Sequence, residues 1–134
     1  GGEEVDELTP GGSAALLTGL DPAVTKSDTL IGAICGNPGD LPPIWKDLNL
    51  EVHLLERVVG ATDSLVVEPL KMKELLMLNV NSAATVGSVE SMKKDRVNCV
   101  LKLPVCAEVE SRVTISRRLG TRWRLIGYGI IKEA

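Results

Sequence analysis

The 134-residue chain is 44% hydrophobic but only 2% aromatic, and it contains no phenylalanine. This apolar share is enough for a folded core built from Leu, Val and Ile, a composition that favours strands. The net charge of −3 at pH 7 argues against a nucleic-acid-binding surface that covers the whole protein. The sequence has no N-terminal segment that is basic and then apolar, and it has no apolar run near twenty residues long. We therefore expect no export signal and no membrane span.

The first third of the chain is interrupted by glycine and proline. Between residues 9 and 43 these residues separate short apolar runs at 14–17 and 30–35, a pattern that predicts two or three short strands joined by turns. Residues 36–43 hold three prolines and two glycines, which block a regular element, so we place a domain boundary near Pro43. The chain begins with glycine instead of Met, as expected for a piece of a longer protein.

Beyond Pro43 the pattern becomes regular. Leu50, Val52 and Leu54 alternate with more polar neighbours, which is typical of a half-buried strand. Six such segments at close spacing, with no helical period longer than two turns, predict an all-β domain that forms a small closed or nearly closed antiparallel barrel. The predicted strands are residues 49–58, 74–80, 85–92, 96–103, 112–117 and 122–131.

The last predicted hairpin carries a cluster of arginines around Trp123. Because alternate strand residues share a face, we expect three or four guanidinium groups in one patch. Such a patch either faces phosphates or acidic groups of a partner or serves as a solvated hairpin tip that resists edge pairing. The candidate partner-facing or RNA-facing residues are Arg117, Arg118, Arg122 and Arg124.

Residues 25–28, Thr-Lys-Ser-Asp, resemble the box with which GTPases read guanine. That box works together with a phosphate cradle of the form Gly-x-x-x-x-Gly-Lys-Ser/Thr, and the sequence has no such run. It also follows a turn at Asp21-Pro22 and not a buried strand. We therefore interpret it as a solvated turn.

The candidates for catalysis are few. The three cysteines, Cys35, Cys99 and Cys106, are odd in number and lack close pairing, which favours reduced thiols and a cytosolic protein. His53 is the only histidine, so any metal cluster or nucleophile–base pair would have to use it. An alternative hypothesis is a small β-barrel hydrolase that uses Cys106 or Cys99 with His53.

Several segments along nearly the whole chain are similar to one family. The sequence resembles the C-terminal part of the γ subunit of archaeal and eukaryotic translation initiation factor 2, a relative of elongation factor Tu. The shared segments are Pro10-Gly11-Gly12, Leu20-Asp21-Pro22 followed by 25–28, Leu41-Pro42-Pro43, and residues 54–60, 67–69, 103–108, 115–118 and 122–129.

This resemblance implies a fold and a role. Residues 1–43 would be the C-terminal part of β-barrel domain II, and residues 44–134 would be a barrel like domain III of elongation factor Tu. The catalytic domain of the family would be missing, which implies no catalytic, cofactor or metal residues here, with GTP and Mg bound only by the intact protein. An alternative hypothesis is that the chain is a barrel of a related elongation factor, such as the selenocysteine-specific one.

The resemblance also implies partners. The intact cytoplasmic subunit delivers methionyl initiator tRNA to the small ribosomal subunit in a GTP-dependent manner. It assembles with α and β subunits, and its third domain packs on its own GTPase domain.

Overall fold

The computed structural model describes residues 2–60 and 65–133. The chain divides into two compact units, Gly1–Leu30 and Ile31–Ala134. The first unit contains one short helix, α1 (Pro22–Thr25), whose N-terminus is capped by Asp21, which accepts a hydrogen bond from the Ala23 N–H at 2.9 Å. No described residue belongs to a helix with the length and apolar character that crossing a membrane requires.

The short strands expected before Pro43 do not form. Residues 14–17 are exposed and lie outside any strand, and residues 30–35 contain turns but no strand. The prediction was wrong because a strand needs a neighbour for its backbone hydrogen bonds. Glycine and proline mark the turns correctly, but the apolar runs between them find no pairing partner among the described residues.

The second unit contains the predicted six-stranded barrel. Every neighbouring pair is antiparallel, and the closed order is β1-β4-β3-β2-β5-β6. The strands are β1 (Ile44–Leu54), β2 (Leu75–Val80), β3 (Ala83–Lys93), β4 (Arg96–Cys106), β5 (Arg112–Leu119) and β6 (Arg122–Lys132). Five of the six lie within a few residues of the prediction, whereas β1 begins five positions earlier, directly after Pro42-Pro43.

The barrel interior is packed with aliphatic side chains and one thiol. Leu48 and Leu50 of β1 are fully buried, as are Leu78 of β2 and Cys99 of β4. Thr85 is the one buried polar residue among the described residues, and its hydroxyl donates to the Leu103 carbonyl and accepts from the Leu103 N–H, both at 3.0 Å. Burial of this polar group is therefore compensated by two hydrogen bonds.

The small radius of the barrel requires close backbone approaches. At Gly127 an added Cβ would lie 2.4 Å from the His53 carbonyl oxygen, so only glycine fits where β6 crosses β1. The pairings of β1 with β4, β3 with β4 and β5 with β6 each contain a register shift. Such bulges bend strands and increase their twist, which helps so few strands close.

Candidate partner-binding surfaces

The β5–β6 hairpin turns through Gly120-Thr121, with Leu119 paired to Arg122 across the turn. Gly120 adopts a φ of +64°, the left-handed conformation that tight hairpin turns require. The register pairs Arg117 with Arg124, and the next pair is Arg118 with Trp123.

This register divides the four arginines between two faces. Because side chains alternate along a strand, Arg117, Arg122 and Arg124 share one face, whereas Arg118 lies with Trp123 on the other. The expectation of a single patch is therefore wrong for Arg118. The sequence pattern alone could not show this, since the answer depends on which residues pair across the turn.

Arg117 is bound within the fold. Its Nε donates to Glu74 Oε1 at 2.9 Å, and its Nη2 donates to Glu74 Oε2 at 3.1 Å. The same guanidinium also donates to the carbonyls of Glu68 at 2.9 Å and Pro69 at 3.2 Å. The two charged side chains are only 11% and 17% exposed, so this arginine fastens the segment before β2 to β5.

The other three arginines have no such partners. Within residues 2–60 and 65–133, neither Arg118, Arg122 nor Arg124 forms a hydrogen bond or an ion pair. Arg118 and Arg122 are exposed, and Arg124 is half-buried beside Gly60, where an added Cβ would lie 2.7 Å from its Nη1. These three guanidinium groups therefore remain available to a ligand or a partner.

The face that carries Arg118 and Trp123 borders a groove that sequence reasoning did not predict. The groove has a volume of about 550 Å³ and crosses the outside of the barrel. We call it the outer groove; its main lining side chains are Leu75, Val86, Val100, Lys102, Arg118 and Trp123. Because they come from five different strands, only the barrel topology brings them together.

The residues that resemble a guanine-reading box lie in an exposed turn, as expected. Thr25 is the last residue of α1 and residues 26–28 follow it, with Ser27 and Asp28 at left-handed φ values of 59° and 60°. The Thr29 hydroxyl donates to the Val24 carbonyl and, at 3.2 Å, to the Lys26 carbonyl. These local bonds account for the turn.

The cysteine hydrolase hypothesis is wrong. Cys99 lies inside the barrel, where burial raises the pKa of its thiol to about 11. Cys106 donates to the Pro42 carbonyl at 3.2 Å, and its register partner Ile44 is nine positions from His53 along β1, or ~30 Å. His53 is exposed, with its Nε2 2.9 Å from Glu51 Oε1 and its ring stacked on Tyr128. Neither thiol can use this imidazole as a base.

The described residues also contain no group of three or more His, Cys, Asp or Glu side chains that could hold a metal ion.

The geometry thus defines a small closed β-barrel that offers unpaired arginines and an apolar groove on its surface. A family model described as "Initiation factor eIF2 gamma, C terminal" matches residues 46–131, which include most of all six strands. The chain belongs to this family. The resemblance and the all-β barrel fold expected from the sequence are thereby confirmed.

Curated relatives agree with this assignment. The chain is 57% identical over 133 residues to "Translation initiation factor 2 subunit gamma" of Pyrococcus furiosus, 56% identical over 133 residues to that of Pyrococcus horikoshii, and 54% identical over 132 residues to that of Methanothermobacter thermautotrophicus. The alignments cover 99%, 99% and 98% of this chain and 32% of each relative. The chain therefore spans about a third of the length of these relatives, and the match favours an initiation factor over an elongation factor.

Proposed function

We propose that this chain is the non-catalytic C-terminal barrel region of an initiation factor 2 γ subunit. In the intact cytoplasmic factor it would take part in the GTP-dependent delivery of methionyl initiator tRNA to the small ribosomal subunit, together with the α and β subunits. The family match over all six strands carries this proposal. We further propose that residues 44–134 form domain III and residues 1–43 the end of domain II, since β1 begins at Ile44 and the family match begins at residue 46.

We assign no GTP chemistry to this region. The sequence lacks a phosphate cradle, and residues 25–28 form a turn held by local bonds. In the intact factor, GTP and Mg would be bound outside these 134 residues. Isothermal titration of GTP into the chain should show no guanine-selective binding at micromolar concentrations, and a saturable guanine-specific site would overturn this assignment.

The face that carries Arg122 and Arg124 is the proposed docking surface. Two neighbouring cations without internal partners among the described residues repel each other, and acidic groups of a partner would relieve this repulsion. The overall charge of −3 and the small number of free arginines favour a protein partner over a long stretch of RNA. The factor's own GTPase domain is the partner that we propose for this face.

The test compares two double variants with the unmodified chain. Arg122→Ala/Arg124→Ala removes the proposed contacts, and Lys93→Ala/Lys94→Ala removes the same charge from two exposed positions, the last residue of β3 and the first residue of the β3–β4 turn. Binding is measured to an isolated GTPase domain of the family and to initiator tRNA. We expect the arginine variant to bind the GTPase domain about tenfold more weakly, with little change for the lysine control.

Each other outcome has a distinct meaning. If the arginine variant instead loses tRNA affinity and the salt dependence falls by nearly one unit per arginine, the face binds RNA. If neither binding changes while the variant folds normally, this side of the hairpin is only solvated, and the docking assignment is wrong.

A further inference from the structure

The outer groove is a concave apolar surface with cations at its margin. Leu75 pairs with Ser88 and Ser88 pairs with Val100, so these three residues form one row across β2, β3 and β4. Leu75 is 58% exposed and Val100 is 46% exposed, although both are large apolar side chains. Single exposed apolar residues are ordinary, but several that line one groove with a tryptophan mark an interaction site.

The two charged side chains that line this groove are both cationic, and the neighbouring Glu90, which accepts a hydrogen bond from the lining residue Ser88 at 3.2 Å, is already paired with Lys73. Arg118 and Lys102 line it, and neither has an ion-pair partner in the described part of the chain. None of the described residues that line the groove is acidic. An occupant that complements this surface therefore carries apolar side chains for the floor and carboxylates for the margin.

The barrel topology restricts how an occupant can bind. Because the six strands close on themselves, the described barrel offers no free edge to which a peptide could add a strand. Recognition must therefore use side chains. A volume of about 550 Å³ is in the range of pockets that bury a few side chains.

RNA fits this groove less well than a peptide does. Single-stranded RNA is held by a row of cations along the backbone together with several aromatic stacking platforms. The groove offers two cations and one aromatic ring, Trp123, and its remaining surface is mainly aliphatic.

We propose that the outer groove binds a short acidic peptide segment of a partner protein. Apolar side chains of the peptide pack on Leu75, Val86, Val100 and Trp123, and its carboxylates pair with Arg118 and Lys102. This site is separate from the docking surface of Arg122 and Arg124, because the hairpin register places Arg118 on the opposite face. The two proposals can therefore fail independently.

Trp123 provides a direct reporter of occupancy. The chain has two tryptophans, so Trp45→Phe leaves Trp123 as the single tryptophan, whose emission can be excited selectively over that of the one tyrosine, Tyr128. The probes are a short peptide of alternating Glu and Leu, a Lys/Leu peptide, a Glu/Ser peptide and single-stranded oligouridine. We expect a saturable change in Trp123 emission with the Glu/Leu peptide and much weaker changes with the other three. Anisotropy of the labelled Glu/Leu peptide with the unmodified chain gives the affinity without relying on Trp45→Phe.

Matched variants locate the site. Arg118→Glu should weaken binding of the Glu/Leu peptide about tenfold, whereas Arg122→Glu, on the same hairpin but the other face, should leave it nearly unchanged. Val100→Ser should also weaken binding, and Leu103→Ser, which changes an exposed residue of the same strand outside the groove, should not. Equal losses in Arg118→Glu and Arg122→Glu, tighter binding of oligouridine or the Lys/Leu peptide, or no saturable binding up to millimolar peptide would each overturn the proposal.

Discussion

The clearest energetic prediction concerns the bond network of Arg117. Arg117→Met keeps most of the aliphatic stem but removes the guanidinium, which donates to both carboxylate oxygens of Glu74 and to two backbone carbonyls. The change leaves the Glu74 carboxylate without its cation in a site where it is only 17% exposed. Breaking a fully buried pair in this way costs about 3–5 kcal/mol, because one charge stays desolvated and unpaired.

Partial exposure reduces that cost. Water can reach the freed carboxylate and carbonyls, so we expect Arg117→Met to lower the free energy of unfolding by about 2–3 kcal/mol. For a domain of this size, such a loss lowers the melting temperature by roughly 10–20 °C. Urea unfolding followed by tryptophan fluorescence measures the change, and an unaltered m value would show that the folded and unfolded states keep their compactness.

Two controls make this prediction specific. Arg118→Met makes the same chemical change one position away, at an exposed side chain without a described partner, and should cost less than about 0.5 kcal/mol. The double variant with Glu74→Gln should be more stable than the sum of the single losses predicts, since the two residues interact directly. If Arg117→Met costs no more than Arg118→Met, the assignment of Arg117 to the fold is incorrect.

Three other predictions test the barrel and the first unit. Gly127→Ala should destabilise the barrel by about 2–3 kcal/mol in urea unfolding, because the added methyl meets the His53 carbonyl, whereas Gly19→Ala, with open space around it, should be nearly neutral. Burial raises the pKa of the Cys99 thiol to about 11, above its unfolded value, so stability that is present below about pH 9 should decrease by up to ~3 kcal/mol as the pH rises to about 11. Unfolding curves of Cys99→Ala should not show this loss of stability at alkaline pH, and an equal loss in that variant would contradict its assignment to Cys99. Amide hydrogen exchange should be fast at residues 14–17 and slow in Leu75–Val80, and equal protection in a monomer would show that the first unit is as stable as the barrel.

The barrel was predictable because each strand has a pattern that is visible among neighbouring residues of the sequence. Alternation around Leu50, together with polar turns such as Lys94-Asp95, is a property of neighbouring residues, and six repeats of it suffice to predict an all-β domain. The same kind of local pattern predicted a strand at residues 14–17, where no partner strand exists among the described residues. A strand is a pairwise structure, so an apolar run alone overpredicts it.

The functional surfaces were harder to predict because they depend on distant residues. Glu74, which binds Arg117, is 43 positions away in sequence, so no local pattern identifies it as the partner. The division of Arg118 from Arg122 and Arg124 depends on the hairpin register, and the outer groove depends on the strand order. The identity of the charged residues was visible in the sequence, but their partners were not.

The central claim is that this chain is the C-terminal barrel region of an initiation factor 2 γ subunit. A chimera tests it most directly, with these residues replacing the matching third of the Pyrococcus furiosus relative, to which they are 57% identical. The measurement is the affinity of the chimera for methionyl initiator tRNA in the presence of GTP and the α and β subunits. We predict that this affinity matches that of the unmodified relative. A chimera that folds and binds GTP but does not bind the tRNA would contradict the claim.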